Sequence, residues 1–141
     1  MARKPKAIVL DSWAVLAYLE DESPAQKIGD MISDAHDEDV PLYMSVVNVG
    51  EVWYIVTREA SPVDADNSVA QLRQLGIKFI EADWLLTQQA AKFKSKHRMS
   101  YADCFAAALT KQKSAVLLTG DPEFKQVERE IALIWLALRK K

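Results

Sequence analysis

Five short apolar runs alternate with helix-length segments along this chain, and that alternation constrains the fold more than any other feature. The runs are AIVL before Asp11, PLYMS ending at Ser45, IKFI from Ile77, AVLLT ending at Thr119 and IALIWL from Ile131. Runs of this length bounded by turn residues read as buried strands. The segments between them carry helix-start chemistry. Asp11 precedes SWAVLAYLE, Ser45 precedes VVNVGEVWYIVTRE, Asp83 precedes WLLTQQAAKFKSK and Ser100 precedes YADCFAAAL. Ser61-Pro62-Val63-Asp64 opens another helix, which Gly76 closes. Ser23 is expected to cap a further one, with Pro24 at its first position and Ile28, Met31 and Ile32 along it. Gly120-Asp121-Pro122 turns the fourth strand into a short helix. This order predicts an α/β domain, a mainly parallel sheet of about five strands flanked by helices. No repeat, low-complexity tract or Gly/Ser-rich linker divides the sequence, so residues 1–141 read as one domain.

Bulk properties narrow the function only by exclusion. The formal net charge is −2, so the chain has no global basic field for nucleic acid, although a local basic rim would vanish in that sum. Cys104 is the only cysteine, which excludes an internal disulfide framework and fits a reducing, cytoplasmic setting. The basic start MARKPK leads into an apolar run that Asp11 ends at once, too short for a signal-peptide core. No run is long enough to span a bilayer. The closing LRKK reads as a solvated basic tail.

In parallel α/β sheets, sites form beyond the carboxyl ends of the strands. Asp11 directly follows the first strand, and Asp121 lies just beyond the fourth, in LLTGDPEF. Glu51 lies within the apolar stretch VVNVGEVWYIV after the second strand. Asp103 follows Ser100 by three residues, where the helix SYADCFAAAL turns apolar. Right-handed crossovers bring the starts of such helices to the same edge. Each acid alone has an ordinary role open to it. Asp11 and Asp121 suit helix caps, Asp103 suits a capping box with Ser100, and Glu51 suits a solvated charge. Glu51 fits that role worst, because apolar residues flank it. Together the acids repel, by roughly 4 kcal/mol for a pair 4 Å apart at an effective dielectric near 20. Protons or a cation must neutralise such a cluster. Oxygen-only ligands point to Mg²⁺ or Mn²⁺ rather than zinc. His36 and His97 lie in polar stretches without paired ligand spacing and read as surface residues.

The motifs VLDSWAVLAYL, NVGEVWY, SYADCFAAAL and LLTGDPEF resemble, in order and separation, those of the PIN-domain ribonucleases. The likeness is closest to the small VapC-type toxins of type II toxin–antitoxin systems and runs from the first strand to the last. It implies a three-layer fold in which Asp11, Glu51, Asp103 and Asp121 form an acidic quartet holding Mg²⁺ or Mn²⁺. Thr119 matches a hydroxyl that supports the site, and Ser12 matches a small polar residue after the first acid. Gly120 departs from the pattern, standing where many relatives carry Asn. The resemblance implies an endoribonuclease that hydrolyses RNA phosphodiesters with a water-derived nucleophile, leaving a 5′-phosphate and a 3′-hydroxyl. It also implies a single-stranded or tRNA-like RNA substrate, a cognate antitoxin, a homodimer and no membrane. The alternatives are a PIN nuclease of RNA maturation or decay without an antitoxin, and a non-catalytic α/β interaction module. A receiver-type signalling module fits less well, because Glu81 and Asp83 are poorly placed as acceptors and the late lysines lie only in the tail.

RNA contact calls for basic or aromatic residues. KFKSKHR, Lys92 to Arg98, is the densest basic run, and Arg58, Lys125 and Arg129 are further rim candidates. Each also reads as a solvated helix end. Trp53 and Trp135 lie in apolar runs and are expected in the core, while Trp13 and Trp84 start helices and are candidates to line a groove. Cys104 reads as a packed small hydrophobe, with neither a histidine nor an activating cation beside it in sequence.

Overall fold

The strand β1, Ile8–Leu10, is only three residues long and wholly buried, so both of its faces need a covering layer. Side chains alternate across a strand. Val9 points into one apolar cluster, while Ile8 and Leu10 point into another on the opposite face. The sheet of this computed structural model, which describes residues 4–136, is completed by β2 Leu42–Ser45, β3 Ile77–Ile80, β4 Val116–Thr119 and β5 Ala132–Trp135. All the pairings are parallel, in the order β3-β2-β1-β4-β5. The architecture is therefore the expected three-layer α/β fold. The LRKK tail lies outside the described residues.

The helices are α1 Ser12–Leu19, α2 Ala25–Asp37, α3 Val46–Glu59, α4 Pro62–Gln74, α5 Trp84–Lys96 and α6 Tyr101–Gln112, with a 3₁₀ turn at Pro122–Val127. Leu86, Ala90 and Phe93 of α5, together with the Ala-rich stretch of α6, cover the Val9 face. Residues of α1, α2, α3 and α4, among them Val15, Ile28, Val52 and Leu72, cover the other. In α6 every residue from Asp103 to Thr110 is buried. Its alanines let it lie close to its neighbours, and Thr110 satisfies its own hydroxyl on the Ala106 carbonyl at 2.8 Å. Among the described residues no helix is long and apolar enough to cross a membrane.

Ser45, Ser61, Asp83 and Ser100 cap their helices through their side chains as expected. Gly76 ends the α4 turn at φ +82°, where the His36 ring leaves no room for a Cβ. Ser23 does not cap α2. A turn from Glu22 already supplies a carbonyl to the Ala25 N–H at 2.8 Å, and Pro24, not Ser23, stands at the cap position without a side-chain bond. Trp53 is not a core residue either. The face of α3 that carries it is exposed, and its indole N–H donates to Asp66 on α4 at 2.9 Å. Trp135 is half-buried against the α6 side of the sheet.

Sequential strands add outward from β1 on one side, then the chain crosses back to place β4 on the other. The carboxyl ends of β1 and β4 thus flank the point where strand order reverses, which is where open α/β sheets form crevices. Asp11 directly follows β1, and Thr119 ends β4.

Candidate metal centre

Asp11 caps α1, with its Oδ1 accepting the Ala14 N–H at 2.8 Å. Its Oδ2 accepts the Thr119 hydroxyl at 2.5 Å. The Thr119 oxygen in turn accepts the Asp121 N–H at 3.0 Å, so its single proton is committed to Asp11. One hydroxyl thereby ties the end of β1 to the end of β4. Asp11 is only 1 % exposed. Burial pushes its carboxyl up to about 7, and the nearby charges of Asp121 and Glu51 add to that. The hydrogen bonds from Thr119 and Ala14 pull the other way without cancelling it.

Asp103 sits in the first turn of α6, where its N–H donates to Ser100 Oγ at 3.1 Å. The reciprocal half of a capping box is absent, because the Ser100 N–H donates to Glu123 Oε1 at 3.3 Å instead. That leaves the Asp103 carboxyl free for the cluster. Burial raises it to about 8, reinforced by a hydrogen bond with Glu123 and the charges of Asp121, Asp11 and Glu123. Carboxylate oxygens of Asp103, Asp121 and Glu123 all lie within 4.8 Å of one another. Glu51 is held by the Ser12 hydroxyl, which donates to its Oε1. The buried Asn48 donates from its side chain to the Ala102 carbonyl at 3.1 Å, fastening α3 to the start of α6.

An open groove of about 300 Å³ is lined by Glu51, Asp103, Asp121 and Glu123 together with Ser12, Trp13, Leu16 and Ile55. Asp11 sits behind it, close enough for its charge to act on Asp103. The expected acids therefore share one neighbourhood, with Asp103 and Asp121 at its centre. Among the described residues no lysine or arginine lines the groove. Among the described residues the one contact between a basic side chain and a carboxylate at ion-pair distance lies elsewhere, the His97–Glu130 hydrogen bond at 2.8 Å. An oxygen-only donor set, with Asp11 and Asp103 raised by burial and no basic counter-ion among the described lining residues, suits a hard divalent cation.

Sequence reasoning missed Glu123 and Asn48. Glu123 lies two residues after Asp121, on the turn that brings it back toward Ser100. Asn48 was visible as a polar residue in an apolar helix, one turn before Glu51. The candidate rim residues are not among those that line the groove. Lys92 and Lys96 line a separate cavity of about 170 Å³ with Lys111 and Glu130, and Arg58 lies over the Tyr54 ring. Trp13 lines the acidic groove, whereas Trp84 is 71 % exposed on the surface. His36 bonds the Leu75 carbonyl. Cys104 is buried, and burial pushes its thiol up to about 11, away from nucleophile chemistry.

The sequence profile of the PIN domain matches residues 8–130. No curated protein sequence matches the chain. Among solved structures, VapBC2 from Rickettsia felis, bound to a DNA fragment from its promoter, superposes with a TM-score of 0.72 at 12% identity, covering 93% of this chain and 99% of that one. VapC20 from Mycobacterium tuberculosis, described as a sarcin–ricin loop cleaving toxin, gives 0.67 at 16% identity, covering 86% and 95%. FitAcB from Neisseria gonorrhoeae gives 0.64 at 21% identity, covering 90% and 96%.

Proposed function

The chain belongs to the PIN domain family, and from that premise we propose that it is a Mg²⁺- or Mn²⁺-dependent endoribonuclease, the toxin of a toxin–antitoxin pair. The observation that carries the reading is the groove in which Glu51, Asp103, Asp121 and Glu123 converge, with no basic residue among its described lining residues. The names of the structural relatives support the toxin assignment, since one is a cleaving toxin, another a toxin–antitoxin complex and a third a member of a family of toxin–antitoxin systems. A partner needs surface to dock on, and Trp84, Leu85 and Tyr101 are exposed on α5 and α6. An antitoxin, a homodimer and a cytoplasmic location complete the proposal.

Asp11, Glu51, Asp103 and Asp121 would hold the ion, with Glu123 beside them as a fifth carboxylate. Bound there, a divalent cation lowers the pKa of a water and offsets charge on the scissile phosphate. The remaining work belongs to the chain. Thr119 fixes the orientation of Asp11 and Ser12 that of Glu51. Asp103 and Asp11 would have to be deprotonated to hold the ion, so its affinity would rise with pH. A carboxylate not taken up as a ligand would accept the proton of the attacking water, and Glu123, within 4.8 Å of Asp103 and Asp121, is within reach of either role. Addition of water across the P–O3′ bond leaves a 5′-phosphate and a 3′-hydroxyl.

The test incubates purified, partner-free protein with end-labelled single-stranded RNAs and a tRNA pool in Mg²⁺, Mn²⁺ or EDTA, beside Asp103→Asn. Metal-dependent cleavage that the variant lowers by about a hundredfold or more is expected. A folded wild-type protein that neither cleaves RNA nor binds Mn²⁺ would return the chain to the interaction-module reading.

A further inference from the structure

We propose that Trp13, seated on Gly120, is the platform on which an unpaired nucleobase beside the scissile phosphate stacks. This residue would select for an unpaired base next to the cut, and the inference rests on the nuclease reading above. The indole lines the same groove as Glu51, Asp103 and Asp121, with Leu16 and Ile55 adding apolar surface. A site for metal and phosphate alone needs no apolar wall. A nucleotide brings a charged phosphate and a flat apolar base together, and a groove of about 300 Å³ matches that mixed chemistry.

Gly120 shows how firmly the ring is held. Its backbone does not demand glycine, since Gly76 is the glycine with positive φ. The space does. A Cβ at position 120 would stand 2.3, 2.5 and 2.6 Å from the Cη2, Cζ2 and Cζ3 atoms of Trp13, closer than atoms can approach. The six-membered edge of the indole therefore rests directly on the backbone between Thr119 and Asp121, the segment that carries the acid network. The Trp13 side chain thus has a fixed register to the acids, set from α1 on one flank and from the end of β4 on the other. No larger side chain fits beneath the ring.

Among the described residues the groove offers no lysine or arginine with which to grip a strand near the cut. Base stacking supplies grip without basic residues, tolerates sequence and requires an unpaired base. Trp13 also brings a donor. The N–H of Trp53 is taken by Asp66, but that of Trp13 has no acceptor among the described residues and is not a buried orphan. It is available to a base or sugar oxygen.

The experiment uses a single-stranded RNA whose cleavage site has been mapped on the wild-type protein, and copies of it made abasic at each nucleotide flanking the cut. Wild type, Trp13→Leu and Trp13→Phe are compared by KM and kcat, with thermal midpoints run in parallel. One abasic position is expected to cost wild type roughly ten- to a hundredfold in kcat/KM, mostly through KM. Trp13→Leu should lose a similar factor on intact RNA and be indifferent to that abasic position, while Trp13→Phe keeps most of the effect. A purely structural role would lower the thermal midpoint and leave base dependence intact. The proposal is overturned if no abasic position costs wild type more than about twofold, a result that needs no variant to fold. It is equally overturned if Trp13→Leu feels the abasic substitution in full. Either result, with metal-dependent cleavage by wild type, leaves the nuclease reading standing. Absence of cleavage by wild type takes both down.

Discussion

Helices α1 and α5 both begin at an aspartate in extended conformation whose Oδ1 accepts the backbone N–H three residues on. The distance is 2.8 Å from Ala14 to Asp11 and 2.9 Å from Leu86 to Asp83. Locally the two caps are the same device. They differ in what meets the other oxygen. Asp83 is exposed, with water at hand. Asp11 is enclosed, its second oxygen takes the Thr119 hydroxyl, and the charges of Asp121 and Glu51 bear on it. A cap needs one carboxylate oxygen and gains little from full burial. An enclosed cap with a second set of acids around it carries a desolvation cost that capping alone does not explain, and a cation would offset that cost.

Substituting asparagine separates capping from charge, because Asn caps about as well as Asp. Asp11→Asn keeps an acceptor for the Ala14 N–H but removes a carboxylate from the centre. Metal-dependent cleavage is expected to fall by about a hundredfold or more, with the fold retained. Single-turnover cleavage and a thermal midpoint measured on the same preparation check both halves. Activity within a few-fold of wild type would reduce Asp11 to a cap like Asp83.

The second effect is thermodynamic and needs no substrate. In metal-free protein Asp11 titrates near 7, against 3.8 when unfolded. Between those values the native state binds more protons than the unfolded state, so stability falls as pH rises through that window. For this one group the slope is at most about 1.4 kcal/mol per pH unit. Asp103, raised to about 8, acts in the same direction. Urea midpoints from pH 5 to pH 8 in chelator should therefore decline, less steeply in Asp11→Asn. Mn²⁺ or Mg²⁺ should flatten or reverse the decline, since the ion requires deprotonated ligands. Stability that stays level or climbs over that range in chelator would remove the physical case for a strained acid centre.

The contrast between the two caps also marks what the sequence discloses. Strand runs, helix lengths and most caps are local, and periodicity and cap chemistry reveal them directly. Asp11, Asp103 and Asp121 were legible because each stands at a strand end or helix start that a parallel sheet brings to one edge. Glu123 was not, because its role depends on a 3₁₀ turn that returns it to the Ser100 amide. Trp53 misled because its neighbours in sequence are apolar, yet helix rotation points it at Asp66 and solvent. Ser23 misled because a turn one residue earlier had already satisfied the amide it was expected to bind. The Trp13–Gly120 contact joins residues far apart in the chain, and only the geometry shows that the glycine serves the ring and not its own backbone.

The smallest expected effect completes the comparison. Asp83→Ala removes the α5 cap and should cost about 1 kcal/mol, while Asp83→Asn should cost only a few tenths. Neither should change cleavage by more than about twofold, because Asp83 is exposed and is not among the residues lining the acidic groove. Asparagine would then preserve stability at both helix starts and preserve cleavage at only one. Equal loss of cleavage from Asp83→Asn and Asp11→Asn would mean that any negative charge at this level of the sheet supports the reaction. Enclosure by Thr119 and the neighbouring acids would then lose its explanatory role. Loss confined to Asp11→Asn ties function to the one feature that distinguishes the two caps, the environment of the second carboxylate oxygen.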